Sequence, residues 1–254
     1  MTPQSVYVYG VIRAGHPGPR GRAGVGDPAA PARLLPVGSS LAAVVSDAPE
    51  GLRARRRDLM AHQELLIALA ADGPVLPMRF GMVCQSEFSV VQQLTAAESS
   101  HLSALERLDG LQEMNLKALP AQGFLDALIR EDALVRRLRE ETRRRPGYEA
   151  NVRLGEAVAA GLTRRAADAA AKLLAELSGL SAGSTHGPEV AGCVLNASFL
   201  VARSETDRFR TAVERFAAEH QERVELRLTG PLPCYSFVDC DPLPPPERLV
   251  PSGA

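Results

Sequence analysis

The order in which two hydrophobic periods follow one another, from Val6 to Leu119, is the feature that most restricts the fold of this chain. Apolar residues that alternate with a period of two indicate strands, and apolar residues spaced by three and four indicate amphipathic helices. Two strand-like segments precede the first helix-like one, so the chain lacks the regular alternation that builds a doubly wound parallel sheet. The order β-β-α-β-α-β favours an α+β sandwich related to the ferredoxin-like split βαβ.

A glycine- and proline-rich segment, residues 13–33, separates the first two of these strands, and we predict that it is flexible and without regular structure. The breaker Asp72-Gly73-Pro74 ends the first helix. The predicted elements are a strand at Val6–Val11, a strand at residues 39–47, a helix from Leu52 to Ala71, a strand over residues 75–84, a long helix with Ser86 as its N-cap, and a strand at residues 111–119.

The second half of the chain repeats the βαβ order after a helical stretch. Residues 123–178 have helical character with a break at Arg145-Pro146-Gly147, which predicts a helical hairpin. A flexible connector (178–189), a strand (190–203), a helix with a capping-box-like start at Ser204 and Asp207, and a strand (224–229) follow. We therefore predict an N-terminal ferredoxin-like domain over residues 1–109, a C-terminal α+β domain over 110–240 and a proline-rich tail over 241–254.

Charge and composition exclude several classes of partner. The formal net charge of the 254 residues is −1 and aromatic residues make up 4%, so no basic, aromatic-rich surface for nucleic acid is expected. No apolar stretch is long enough for a membrane-spanning helix, and the N-terminus has neither the basic region nor the cleavage site of a secretory signal. We expect a soluble, cytoplasmic protein that binds neither nucleic acid nor membrane.

No nucleophile elbow, phosphate-binding loop or dinucleotide fingerprint occurs in the sequence, so we expect no catalytic residue, no cofactor and no metal. His62 is the one histidine that needs weighing, because it lies on the apolar stripe of its helix with Leu59, Leu66 and Leu69. It is either a satisfied structural histidine or, in an alternative reading, the base of a small-ligand sensor or enzyme built on a ferredoxin-like sheet.

The segment VLPMRFGMVC, residues 75–84, carries an arginine inside an apolar run. As a strand it would have one apolar face and a second face on which Arg79 stands between Pro77 and Gly81. Proline removes a ladder donor, so this part of the strand is expected at an edge, a bulge or an end. Arg79 either pairs with a carboxylate of its own domain or anchors a protein partner, and the spacing leaves both open.

The segment GPLPCYSFVD, residues 230–239, has a similar character near the other end of the chain. Its alternate prolines predict extended backbone at a sheet edge, with Tyr235 and Phe237 on the same face as Pro231 and Pro233. This aromatic ridge either seals the junction between the domains or is presented outward.

Together, these segments resemble the gas vesicle protein F/L family. The resemblance rests on VLPMRFG after a helix that carries His62, on TGPLPCYSFV, and on YVYGVI, GYEANVRLGEAV (147–158) and ASFLVAR, so it extends from about Val6 to Asp239. The chain departs from the family pattern at Cys234 and in the long loop 13–33. The sequence leaves open whether the chain is similar to the F or to the L member.

The resemblance implies a non-enzymatic accessory protein of gas vesicle formation, with two α+β domains. It implies binding to the small amphipathic shell protein during nucleation, which limits aggregation of that subunit, and leaves open whether the protein remains a minor vesicle component and contacts other accessory gas vesicle proteins. By position, the motif residues expected to contact a partner are Pro77, Arg79, Phe80, Tyr235 and Phe237, and those expected to support the fold are His62, Gly81, Gly230 and Pro231.

Overall fold

The computed structural model describes residues 4–238, which form two compact units. Unit 1 comprises residues 4–113 together with residues 231–238, and unit 2 comprises residues 114–230. The predicted tail at 241–254 lies outside the described residues. Residues 231–238 group with the N-terminal unit, whereas the sequence placed them in the second domain, because side chains of unit 1 hold them.

Unit 1 contains a five-stranded antiparallel sheet and a two-stranded hairpin. Its elements are β1 (Val6–Arg13), β2 (Ala23–Gly26), β3 (Ala29–Pro31), β4 (Arg33–Val37), β5 (Leu41–Asp47), α1 (Arg56–Asp72), β6 (Leu76–Pro77), β7 (Val83–Cys84), α2 (Glu87–Ala96) and α3 (Glu98–Arg107).

Strand β1 is the centre of the unit 1 sheet. Seven of its eight residues, from Val6 to Ile12, are buried, as expected for a run of β-branched and aromatic residues. β1 pairs antiparallel with β5 on one side and with β6 and β7 on the other, and β4 lies beyond β5. β5, α1 and β6 therefore form a split βαβ unit around β1, and the predicted α+β class is confirmed.

Unit 2 contains a four-stranded sheet in the order β11-β8-β10-β9. Its elements are β8 (Leu111–Pro120), α4 (Leu125–Glu131), α5 (Ala133–Arg144), α6 (Tyr148–Ser178), β9 (Gly183–His186), β10 (Leu195–Ala202), α7 (Thr206–Glu219) and β11 (Val224–Leu232), with the first residues of β8 and the last of β11 belonging to unit 1.

The core of unit 2 lies between its sheet and helices α6 and α7. Met114, Leu116 and Ala118 alternate along β8 and pack with Leu173 and Phe209 in one buried cluster. β10, α7 and β11 form the predicted βαβ unit, with β8 between its two strands. The predicted hairpin over 123–178 consists of α5 and α6, with the additional short helix α4 before it.

The loop prediction for residues 13–33 is wrong. β2 and β3 pair as a hairpin, and the Tyr9 hydroxyl accepts a hydrogen bond from the Val25 N–H at 2.7 Å. His16 Nε2 donates to the Leu69 carbonyl at 3.0 Å, while His16 Nδ1 accepts from the Gly18 N–H at 3.0 Å. The segment is ordered because buried polar groups of β1 and α1 hold it, which its local composition does not reveal.

The continuous strand predicted for residues 75–84 is also wrong. The Met78 N–H donates to the Tyr9 carbonyl at 2.8 Å, the chain then leaves the sheet, and it returns where the Met82 carbonyl accepts from the Val8 N–H at 2.9 Å. Between them Gly81 has a φ of +92°, a conformation that favours glycine. Arg79 and Phe80 therefore lie on a turn instead of on opposite faces of one strand.

Three smaller predictions differ from the structure. The long helix after Ser86 is two helices that meet at Ala97, although Ser86 caps the first of them as predicted, through a capping box with Ser89. The connector at 178–189 contains β9, which pairs with β10. No side chain caps α7, which begins at Thr206 after a short 3-10 turn over Arg203–Glu205.

Candidate functional site

His62 lies on the buried face of α1, and the residue is 3% exposed. Its Nε2 is 3.1 Å from the Met78 carbonyl oxygen, and its Nδ1 is 2.8 Å from the Tyr7 hydroxyl. A carbonyl oxygen can only accept, so Nε2 carries the proton and donates to Met78, while Nδ1 accepts from Tyr7. Both ring nitrogens of His62 are thus engaged.

Tyr7 extends this arrangement into the turn. Its hydroxyl oxygen accepts a hydrogen bond from the Gly81 N–H at 3.1 Å and donates its own proton to His62. The series Gly81 to Tyr7 to His62 to Met78 therefore begins and ends on the backbone of one turn. We call residues 78–81, together with Tyr7 and His62, the clamped turn.

The clamped turn is uncharged at its centre. Burial lowers the pKa of His62 to about 4, so the ring is neutral near pH 7. Burial also raises the pKa of the Tyr7 hydroxyl well above its ordinary value, so Tyr7 stays protonated. These shifts favour the two groups as fixed hydrogen-bonding partners and disfavour proton transfer by either one near neutral pH.

The side chains of the turn differ in their exposure. Arg79 is exposed. Phe80 is half-buried, with its ring centroid 5.7 Å from that of His62 and 6.0 Å from that of Tyr7 in edge arrangements. Pro77 is buried and pairs with Gly10 of β1. The clamped turn therefore presents a charged side chain beside a partly exposed aromatic ring.

The C-terminal segment of unit 1 meets the same cluster. The Tyr235 hydroxyl lies 3.4 Å from His62 Nε2, and burial, with Glu113 nearby, raises the pKa of Tyr235 to about 12. Ser236 donates to the buried Glu113 carboxylate from its backbone N–H at 2.8 Å and from its hydroxyl at 2.7 Å. The Phe237 carbonyl accepts from Arg107 at 3.1 Å.

The extended aromatic ridge predicted for Tyr235 and Phe237 is wrong, because Tyr235–Phe237 is a 3-10 turn. Tyr235 packs against the buried core cluster of unit 1, and Phe237 is half-buried. Gly230, with a φ of +148°, belongs to unit 2, where its carbonyl accepts a hydrogen bond from Arg210. Pro231 is exposed in unit 1. The structure thus brings His62, Phe80, Gly81 and Tyr235 together.

Two important residues of the site were not among the predicted ones. Tyr7 lies in an apolar, strand-like run of the sequence and is fully buried in the structure. A buried tyrosine normally finds a hydrogen-bond partner for its hydroxyl, so its place in that run is the signal that could have identified it. Glu113 is 3% exposed and lies in β8, and nothing local in the sequence predicts that Ser236 satisfies it.

Within residues 4–238, no three His, Cys, Asp or Glu side chains come together in a way that could hold a metal ion. No helix of that range has the length and apolar character of a membrane span.

Comparison with known proteins identifies relatives over almost the whole chain. The model of the gas vesicle synthesis protein GvpL/GvpF family matches residues 5–239. Gas vesicle protein F of Streptomyces sp. (strain CB03234) is 41% identical over 92% of this chain and 100% of that protein. Gas vesicle protein L of the same strain is 34% identical over 91% of each. The crystal structure of GvpF from Anabaena sp. PCC7120 has the same fold, with a TM-score of 0.73 at 21% identity over 93% of this chain and 99% of that one.

Proposed function

The chain belongs to the gas vesicle synthesis protein GvpL/GvpF family, and from this premise we propose that it binds the small amphipathic shell protein of the gas vesicle during nucleation and limits its aggregation. Family membership itself assigns a role in gas vesicle formation. The proposal adds the partner, the step and the non-enzymatic mode of action. It also takes the site of action to be the cytoplasm and the growing vesicle, where other accessory gas vesicle proteins are further candidate partners.

The observation that carries the proposal is the clamped turn. Hydrogen bonds with Tyr7 and His62 fix its backbone, so the exposed Arg79 and the half-buried Phe80 start from a preorganised position. Preorganisation lowers the entropy that a binding surface loses on association. Arginine and tyrosine are also frequent hot-spot residues of protein interfaces, and Tyr235 lies beside His62. An amphipathic subunit offers apolar and charged groups to match this pair of side chains.

The same observations speak against the enzyme or sensor built on His62. Its two nitrogens are engaged by Tyr7 and Met78, and burial disfavours its charged form. A general base must reach a substrate proton, and its pKa is best matched to the working pH. We therefore assign His62 and Gly81 to holding the turn, Pro77 to anchoring it on β1, and Arg79, Phe80, Tyr235 and Phe237 to the partner surface.

The test is binding of the full chain to purified shell subunit, with charge reversal at Arg79. We expect Arg79→Glu to weaken binding at least tenfold, because it reverses the charge of an exposed side chain, and the thermal midpoint of each variant is recorded beside its affinity. Arg13→Glu is the matched control: Arg13 is an exposed arginine of unit 1 at the opposite end of β1 from Tyr7. Equal binding by the two variants, or by Arg79→Glu and the wild type, would show that the turn is not the interface.

A further inference from the structure

Helix α5 and the first part of α6 form a helical arm, residues 133–160, to which the proposed function gives no role. Only Val135 is buried in α5, and the buried residues of α6 begin at Gly161. Within the arm, the two helices hold each other through the Glu141–Arg153 ion pair at 3.8 Å and the Thr142 hydroxyl on the Ala150 carbonyl at 3.4 Å. Most of its surface therefore faces outward.

The arm concentrates positive charge. It contains seven arginines and four glutamates, a formal charge of +3, in a chain whose total is −1. Arg136, Arg139 and Arg143 follow one another at i, i+3 and i+7, and so lie along one side of α5. Within the described residues, Arg139 and Arg143 have no carboxylate partner, so this stripe is not neutralised by the fold.

Tyr148, Val152, Gly155 and Ala159 run along the outer part of α6 at i, i+4, i+7 and i+11. All are exposed, Tyr148 to 87% and Val152 to 41%. The Glu141–Arg153 pair marks one side of the antiparallel helix pair. By helical periodicity, the arginine stripe of α5 and the row of α6 residues from Tyr148 to Ala159 both lie away from that side. The two rows therefore border one surface of the arm.

Gly155 gives this surface a second, independent feature. A Cβ added at Gly161 would lie 2.9 Å from Leu128, so packing within unit 2 explains that glycine. A Cβ at Gly155 would meet nothing within 4 Å, so nothing in the fold explains an exposed glycine inside a 31-residue helix. Glycine disfavours helix, and its recurrent use on a helix surface is to let another backbone approach closely.

We propose that this surface docks an acidic amphipathic helix of a partner protein. Arg139 and Arg143 pair with carboxylates on the incoming helix, Tyr148 and Val152 contact its apolar side, and Gly155 admits its backbone. The charge of the arm selects an acidic occupant, and a single aromatic side chain with two unpaired arginines is too sparse for a nucleic-acid surface. This site is separate from the clamped turn and stands whether or not that turn binds the shell protein.

The test uses the full chain and a fluorescein-labelled 21-residue helical peptide with glutamates beside a leucine and alanine stripe. The same peptide with lysines in place of the glutamates is its charge-reversed control. We expect saturable anisotropy changes with the glutamate peptide and at least tenfold weaker binding of the lysine peptide. The double variant Arg139→Glu with Arg143→Glu should weaken binding at least tenfold.

Two further variants separate docking from general electrostatics. Arg137→Glu with Arg144→Glu makes the same charge change on the opposite side of α5 and should alter the affinity less than twofold. Gly155→Leu leaves the charge unchanged, fits the open space of the free chain and should not lower the thermal midpoint, yet it should weaken binding at least tenfold by blocking close approach.

Several results would overturn the proposal. Equal effects of the two double variants would show that only overall charge matters, and wild-type binding by Gly155→Leu would remove the close approach. A chain that self-associates through the arm, with light scattering that falls to the monomer value in the Arg139→Glu, Arg143→Glu variant, would make a second copy the occupant. Tighter binding of a 20-base-pair DNA duplex or of phosphatidylglycerol vesicles than of the glutamate peptide would assign the surface to that ligand instead.

Discussion

Tyr7 and Tyr9 are neighbours on the same face of β1, 4.7 Å apart between ring centroids, and each hydroxyl joins two other groups. Tyr7 connects His62 with the Gly81 amide, whereas Tyr9 connects Ser46 with the Val25 amide. Each tyrosine thus fixes one segment that leaves the sheet. Tyr7 holds the clamped turn, and Tyr9 holds the β2–β3 hairpin. A matched pair of substitutions can separate the contributions of the two hydroxyls.

Replacing Tyr7 by Phe removes the hydroxyl and leaves the Gly81 N–H and His62 Nδ1 without that partner. We expect a loss of about 1–3 kcal/mol in the free energy of unfolding, measured by urea denaturation. Tyr9→Phe should cost a similar amount, so stability alone does not distinguish the two. Hydrogen exchange does: the Gly81 amide should exchange faster only in Tyr7→Phe, and the Val25 amide only in Tyr9→Phe. Equal acceleration of both amides in either variant contradicts the assignment.

His62 makes the stability of unit 1 depend on pH in a defined window. Its pKa is about 6.5 when unfolded and about 4 in the fold, because burial disfavours the charged ring. Between these values the unfolded chain binds the proton and the folded chain does not, so the free energy of unfolding falls as the pH falls from about 6.5 to about 4. The full effect is roughly 3 kcal/mol, and no further loss from His62 follows at lower pH.

The measurement is a series of urea midpoints from pH 7.5 to 4.5 on the wild type and on His62→Gln, which cannot be protonated. The difference between the two should shrink or reverse toward low pH, while carboxylates common to both cancel. Burial also lowers the pKa of His101, so a His101→Gln series shows the share of that second histidine. A wild type and a His62→Gln variant with parallel pH profiles would exclude His62 as the source.

At the scale of elements, the β2–β3 hairpin illustrates what glycine makes possible. A Cβ at Gly24 would lie 2.2 Å from the Tyr9 hydroxyl and 2.9 Å from the Ala30 carbonyl oxygen. Gly24→Ala should therefore destabilise the chain by about 1–3 kcal/mol, since it forces the hairpin off the tyrosine. Gly15→Ala, where a Cβ meets nothing within 4 Å, should stay within about 0.5 kcal/mol of the wild type. A neutral Gly24→Ala would mean that the hairpin is loosely held.

The sequence predicted those elements in which the pattern of apolar and polar residues indicates the secondary structure. β1, β5, α1 and β8 carry clear periods, and the break at Arg145-Pro146-Gly147 separates α5 from α6 as expected. The period of two failed over residues 75–84 because both faces of Leu76–Pro77 are buried, and because the chain leaves the sheet after Met78 and returns to it through the left-handed Gly81. Periodicity shows which residues are apolar, but it does not show where the backbone stops pairing with the neighbouring strand.

The candidate site shows the same limit more sharply. The helical spacing placed His62 on the buried stripe of α1, but its partners Tyr7 and Tyr235 are 55 and 173 residues away along the chain. Contacts of this separation follow from the tertiary fold, which no local pattern encodes. The resemblance to the gas vesicle protein F/L family grouped His62, the Arg-Phe-Gly segment and Tyr235 as motif residues. The structure supplies the hydrogen bonds that connect them.

At the scale of the whole molecule, unit 1 is discontinuous: its last described segment, residues 231–238, follows all of unit 2 in the sequence. Splitting the chain between residues 109 and 110 therefore removes from unit 1 both Glu113 and the returning segment, which contacts His62 and Glu113. Glu113 depends on this returning segment most directly, since it is 3% exposed and accepts two hydrogen bonds from Ser236.

Two truncated chains isolate the contribution of the returning segment. A chain that ends at residue 230 leaves the Glu113 carboxylate without the Ser236 donors, and we expect it to be less stable by on the order of 3 kcal/mol than a chain that ends at residue 238. Faster hydrogen exchange in β1, with little change in α6 and α7, would locate the loss in unit 1. Ser236→Ala in the full chain removes the hydroxyl bond to Glu113 and should cost about 1–2 kcal/mol, because the backbone N–H still reaches Glu113. Equal stability of the two truncated chains would mean that unit 1 folds without the returning segment, and fragments ending before residue 231 would then suffice to test the clamped turn.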